Sequence, residues 1–240
     1  LSRLTSREVD LCDAELCVTD APDRAVQLLT DVLSAYEGTN DRVRTVQCLR
    51  LRALAHQARG EEEAARVDLD AAVRELEEQR GRLRGAEMRA TLGAEADAVF
   101  EAVIETRLDR LADPDGAFDF LERKRTWERI ERETGQPLST SGVAAEMKAR
   151  VTLLVYSARA EALTVWAIDR NGATLERKAI GAARISELAE RFRRGVEHGE
   201  PSELSQLSEP LVEALWRPVE GRIPEGATVV VVGDAAIRNL

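Results

Sequence analysis

Thr228-Val229-Val230-Val231-Val232-Gly233-Asp234 decides how the second half of this chain is read. Four consecutive valines show no polar alternation, so neither face of a strand built from them is patterned for water. The stretch reads as a strand buried on both faces, the usual condition of a central strand covered by helices. Upstream, Val151-Thr152-Leu153-Leu154-Val155-Tyr156 and Leu163-Thr164-Val165-Trp166-Ala167-Ile168 are strands by their β-branched and aromatic content. Asp169-Arg170-Asn171-Gly172 turns the chain between the second strand and a third over Ala173 to Ile180, Asn-Gly supplying the positive φ of a tight hairpin. Glu176 and Lys178 alternate with Leu175 and Ala179, so one face of that third strand meets water. Ile185, Leu188, Ala189, Phe192 and Val196 mark an amphipathic helix, and Leu211, Leu215, Trp216 and Val219 a second. Pro210 suits the first turn of that second helix and Pro218 kinks or ends it. The order β-β-β-α-α-β belongs to an α/β or α+β unit whose buried last strand still needs neighbours and a cover.

Before Gly135-Gln136-Pro137 the character is different, and a domain boundary is placed there, giving regions 1–135 and 136–240. Ala65, Leu69, Ala72, Val73 and Leu76 recur at helical spacing, as do Phe100, Val103, Ile104, Leu108 and Leu111. Breaks fall at Ala21-Pro22-Asp23, Gly38 to Asp41, Arg59-Gly60, Gly81 to Gly85 and Asp113 to Gly116. Each contains Gly, Pro, Asn or Asp, residues that stop helices or start turns. The region reads as a series of helical hairpins with no strand before residue 150.

The chain has 240 residues with 44 acidic and 34 basic side chains. Residues 1–135 hold 30 of the acids against 21 bases, while 136–240 are nearly balanced at 14 against 13. That balance argues against nucleic-acid binding, whose affinity comes from neutralising phosphates. No apolar run approaches the roughly 20 residues that cross a bilayer, and no leader opens the chain. Three cysteines make no disulfide framework, so a reducing, cytoplasmic setting is expected.

The order Gly60, Ala65, Leu69, Ala72 (small turn residue, small helix-contact residue, large apolar residue, small residue) resembles the skeleton of a tetratricopeptide (TPR) unit. Ala25, Leu29 and Val32 repeat it upstream, and Ala117 and Leu121 downstream. The anchors Ala25, Ala65 and Ala117 are 40 and 52 residues apart, longer than the family's usual period, so the array would be degenerate, an ordinary helical bundle being the plainer alternative. From Pro137-Leu138-Ser139 through the strands at Val151–Tyr156 and Leu163–Trp166, Leu211 to Val219, and Val229–Asp234 followed by Ile237 and Leu240, the chain resembles the opening of a CHAT domain. Gly116 to Arg125 looks like the TPR helix that leads into such domains; Gly233-Asp234 stands where the family usually has Pro-Asp. CHAT domains are caspase-like cysteine peptidases. The resemblance implies an α-helical TPR-like repeat region over 1–135 followed by the N-terminal half of an incomplete caspase-like α/β (CHAT) domain over 136–240.

The family's catalytic His and Cys come after the segment corresponding to Asp234–Leu240, so no catalytic, cofactor-binding or metal residue is assigned to this chain. A thiol needs a neighbouring imidazole or helix dipole to yield thiolate. Cys12 and Cys17, five apart on one helix, point away from each other, and all three cysteines including Cys48 read as small buried apolar residues. His56 reads as a packing residue, and His198-Gly199, although it looks like a catalytic His-Gly pair, follows a helix rather than a strand. Glu61-Glu62-Glu63 reads as a solvated helix start. Arg123-Lys124-Arg125 and Arg191, Arg193 and Arg194 read as charge balance on helix faces, Trp127 and Trp166 as packing near the domain junction, and Asp234 as the residue that orders a turn. No Gly-rich phosphate loop, Cys-x-x-Cys pair or Gly-x-Ser-x-Gly elbow occurs. The resemblance thus implies the regulatory and scaffold portion of a bacterial TPR-CHAT cysteine endopeptidase. Its repeats would bind a partner protein, and a peptide substrate would be met only by the complete protease. The alternatives are a non-enzymatic interaction adaptor and a regulatory subunit whose sheet is completed by a second chain or a second copy. Neither nucleic acid nor membrane is an expected partner.

Overall fold

The computed structural model describes residues 2–36, 41–80, 86–128, 139–198, 201–234 and 236–237. The breaks expected at 38–40 and 81–85, the junction at 135–137 and Gly199 lie outside the described residues. The chain divides into two compact units, Leu1–Pro137 and Leu138–Leu240.

The first unit consists of α1 (Ser2–Cys17), α2 (Pro22–Tyr36), α3 (Arg42–Ala58), α4 (Glu62–Arg80), α5 (Ala86–Asp109) and α6 (Pro114–Glu128). α1 packs on α2, α3 on α4 and α5 on α6, three antiparallel hairpins, and each hairpin packs on the next through α2·α3 and α4·α5. Ala25, Ala65 and Ala117 each occupy the fourth position of the second helix of their hairpin, and all three are fully buried. The backbone N–H of each donates to the carbonyl of the residue just before that helix: Ala21, Glu61 and Asp113. Their methyl groups take the least room at the mouth of each hairpin, and the leucine one turn on (Leu29, Leu69, Leu121) is buried in all three. Removing such a side chain from water is worth roughly 1.5–3 kcal/mol. The 52-residue interval between Ala65 and Ala117 follows from the 19 residues of α4 and 24 of α5. Gly60, at φ +72°, makes the α3–α4 turn in a conformation that side chains with a Cβ rarely adopt.

Charged side chains stitch the hairpins. Arg52 of α3 grips the buried Asp68 of α4 with two bonds, 2.7 and 2.8 Å. Arg42 reaches Glu75 at 3.0 Å, Lys124 reaches Glu101 at 2.6 Å, and Arg123 holds Glu77 at 2.7 and 2.9 Å. The guanidinium groups of Arg107 and Arg123 each lie over the Phe120 ring, 4.7 and 4.5 Å from its centroid.

The second unit contains α7 (Thr140–Glu146), β1 (Val151–Ala158), β2 (Leu163–Asp169), β3 (Gly172–Lys178), α8 (Ala182–His198), α9 (Pro201–Leu211), a π-helical turn at Val212–Trp216, a 3₁₀ turn at Glu220–Arg222 and β4 (Thr228–Val232). The sheet order is β3-β2-β1-β4, antiparallel except for the parallel β1–β4 pair, in which Leu154 lies beside Val231. Leu154 and Tyr156 of β1 and Leu163, Val165 and Ala167 of β2 pack with Ile185 of α8, Val219 and Ile237. Tyr156 donates its hydroxyl proton to the Leu215 carbonyl at 2.7 Å. The alternate side chains of β2, Trp166 and Ile168, are also buried, and α7 lies against β2 and β3.

Three sequence expectations are corrected here. β4 is an edge strand among the described residues rather than a buried central one, and Val230 and Val231 are 44% and 55% exposed. The valine run reflects the strand's preference, whereas burial depends on neighbours, and only β1 lies beside it among the described residues. Pro210 sits inside α9 rather than in the first turn, a place taken by Pro201. Pro210 has no N–H for the carbonyl four residues back, and the helix widens just afterwards into the π turn closed by the Arg217 N–H on Val212 O at 3.0 Å. Cys12 is exposed and Cys17 half-buried; only Cys48 is buried.

Candidate functional site

α3 and α5, the first helices of two successive hairpins, lie side by side and run in the same direction. The direction follows from two cross-links: Arg50 Nε donates to Glu95 at 2.7 Å, and Gln57 Nε2, two turns further along α3, donates to Thr106 Oγ1 at 2.6 Å, further along α5. Thr106 in turn donates to the Ala102 carbonyl one turn back at 2.6 Å. Between the helices is a groove of about 520 Å³ with Leu54 and Ala102 among its apolar lining. Gln57 and Thr106, bonded to each other, line it as well, and Glu105, Asp109 and Arg110 complete the lining. Arg110 is held by Glu62 at 2.7 Å, a tie between the end of α5 and the start of α4. The groove therefore sets the apolar carbon of Leu54 and Ala102 in a mainly polar lining that includes the carboxylates of Glu105 and Asp109. That arrangement suits recognition of a side chain with an apolar stem and a polar head rather than bond-making chemistry.

The residues singled out from the sequence are spent elsewhere. Glu61 meets His56 Nδ1 at 2.6 Å and Arg59 at 2.8 Å, and Glu63 meets Arg66 at 2.5 Å, so the acidic run at the start of α4 is tied by ion pairs. Arg123, Lys124 and Arg125 each face a glutamate, and Arg193 faces Glu190 and Glu197. Trp127 and Trp166 are both buried. One carboxylate oxygen of Asp234 accepts the Ala158 N–H and the other the Ala236 N–H at 3.0 Å. Asp234 thus ties the end of β4 to the end of β1 and orders the turn that follows. His198 closes α8, and its side chain lies outside the described residues.

No thiol–imidazole pair forms among the described side chains. Cys48 and His56 both sit on α3, but His56 is engaged with Glu61, and burial pushes the Cys48 thiol up to about 12. Cys48 is therefore a packing residue. Of the three thiols, Cys12 should react with a thiol reagent in the native protein and Cys48 only after denaturation; early labelling of Cys48 would contradict its placement. Burial also pushes the Tyr156 hydroxyl up to about 12. Both shifts are upward, so the stability they carry is complete below the unfolded values of 9.0 and 10.0 and falls as pH rises towards 12. Alkaline titration followed by circular dichroism should show this loss, and Cys48→Ala should remove the part that begins lowest.

A second cavity, of about 330 Å³, opens beside the β2–β3 hairpin, where Thr152, Asp169 and Arg222 line it. Asp169 is occupied in accepting the Asn171 N–H at 2.7 Å, and Arg222 meets Glu176 at 3.3 Å. Among the described residues no cluster of His, Cys, Asp and Glu could hold a metal ion, and no helix is long and apolar enough to cross a membrane. The groove was hidden in the sequence because Leu54 and Ala102 are 48 residues apart and neither belongs to a motif. No protein-family model, curated protein or solved structure matches the chain.

Proposed function

We propose that this chain is the regulatory and scaffold portion of a TPR-CHAT caspase-like cysteine endopeptidase, with the catalytic His and Cys carried outside these residues. The helical unit binds a partner protein in the groove between α3 and α5, and the α/β unit is the opening half of the peptidase domain. The observation that carries the reading is the repeated place of Ala25, Ala65 and Ala117, each the fourth residue of a hairpin's second helix, which leaves the first helices α3 and α5 side by side to form a groove. Arrays of this kind bind extended partners along the surface of successive repeats.

The α/β half of the reading rests on the family resemblance and gains support from β4. A valine strand with its outer edge unpaired among the described residues and Val230 and Val231 exposed is suited to receive a further strand. That strand belongs to the remainder of the domain, or to a second polypeptide or second copy that completes the sheet. The runner-up is a non-enzymatic adaptor, favoured by the lack of a thiol–imidazole pair among the described side chains. The setting in either case is the bacterial cytoplasm.

The 240-residue chain should be proteolytically inert. Incubated with a broad peptide library it should give no thiol-dependent cleavage, and cleavage abolished by Cys48→Ala would overturn the assignment. Partner capture should survive in the chain as given and be lost when Leu54→Arg fills the groove. Capture unaffected by that substitution would remove the groove from the reading.

A further inference from the structure

Glu105 and Asp109 stand one helical turn apart on α5, and both line the groove against α3. Side chains at i and i+4 share a helix face, and two like charges placed so repel each other. The nearby cations are already committed. Arg110 is bound to Glu62 at 2.7 Å, Arg50 to Glu95 at 2.7 Å, and Arg107 to Asp113 at 2.6 Å and Asp70 at 3.2 Å. The polar pair in the lining, Gln57 and Thr106, is bonded to each other. Glu105 is different: it is exposed and makes no ion pair or hydrogen bond among the described residues. Glu105 therefore brings to the groove a negative charge that no described residue pairs with, beside apolar carbon from Leu54 and Ala102.

We infer that the groove takes a cationic segment of the partner protein, a Lys or Arg whose aliphatic stem lies over Leu54 and Ala102 and whose charge faces Glu105 on the Asp109 side. Long basic side chains join these two halves, burying a hydrocarbon stem while the head stays in polar surroundings. A volume of about 520 Å³ suits a few side chains of a peptide rather than a folded domain. The charge of residues 1–135, 30 acidic against 21 basic, adds a long-range field that draws cationic partners and repels acidic ones. This inference rests on the proposal that the helical unit binds a partner, and it names the chemistry of that partner.

Labelled peptides of equal apolar content, carrying Lys, Gln or Glu at the same positions, would be titrated against the 240-residue chain by fluorescence anisotropy. The Lys peptide should bind tightest and the Glu peptide weakest, and the preference should shrink with added salt. Glu105→Gln should weaken the Lys peptide about twofold to fivefold and leave the Gln peptide unchanged, and Glu105→Lys should weaken the Lys peptide by about tenfold. Because Glu105 is exposed, both variants should keep the helical circular dichroism of the parent. Equal binding of all three peptides, with no response to Glu105→Gln or to salt, would overturn the cationic assignment while leaving partner binding intact. If no peptide of any charge binds, the binding role of the groove fails, and the inference falls with it.

Discussion

Replacing Asp68 by alanine should cost the helical unit about 3 kcal/mol or more, a large fraction of the stability of a domain of this size. Asp68 is buried on α4 and receives two bonds from Arg52 of α3, at 2.7 and 2.8 Å. Arg52 also donates to Thr30 of α2 at 3.2 Å, so one guanidinium bridges three helices. The bond to Asp68, more than any other influence, stabilises the charged guanidinium; partial burial opposes it. Without the carboxylate, a partly buried cation keeps its desolvation cost and loses its counter-charge. The Arg52→Met, Asp68→Leu double variant should recover most of the loss, since a well-packed apolar pair is often as stable as the ion pair it replaces. Urea unfolding of the parent, Arg52→Met, Asp68→Leu and the double variant gives the coupling directly. A cost below about 1 kcal/mol for Asp68→Ala would show that the pair behaves as a surface contact.

The second large effect separates the interior of the sheet from its edge. Trp166 lies on β2 between Val155 of β1 and Leu175 of β3, and 1% of it is exposed. Trp166→Ala should cost about 3–5 kcal/mol, the range for emptying a large aromatic site. Val231→Ala, on the exposed β4, should stay within about 0.5 kcal/mol, although a run of four valines suggests a core position. Denaturant unfolding read through amide exchange of β1 and β2 distinguishes the two. Comparable costs at both sites would place β4 in the interior and restore the reading its sequence suggests.

The contrast between Trp166 and Val231 also marks how far sequence carries the fold. Spacing such as Ala65, Leu69, Ala72 and Val73 reports a helix and its buried face, because periodicity and burial are two aspects of one local geometry. Gly60 and Pro22 mark hairpin turns through their own backbone limits. β1 and β2 are legible in their β-branched and aromatic content, and the Asn171-Gly172 turn joins β2 to β3. The position of β4 in the sheet is not local: valine favours a strand equally at the centre and at the edge. Pro210 falls inside the helix because Pro201, nine residues earlier, starts it, and the short α7 announces itself only through Ser139, which accepts the Gly142 N–H at 3.1 Å. The candidate site was least legible. Its apolar lining comes from two helices in different hairpins, and its uncompensated carboxylate becomes visible only once every neighbouring arginine has been assigned to another acid.

The most direct measurement is a methyl-resolved NMR titration of the labelled chain with a Lys-bearing peptide. A groove-binding role requires saturable shifts at the methyl groups of Leu54, Ala102 and Thr106, all of which line the groove, and their loss in the Leu54→Arg variant. Saturable shifts confined to β4 or α8 with those three residues unmoved would contradict it, since the partner would then be held by the α/β unit and the helical unit would have no binding role.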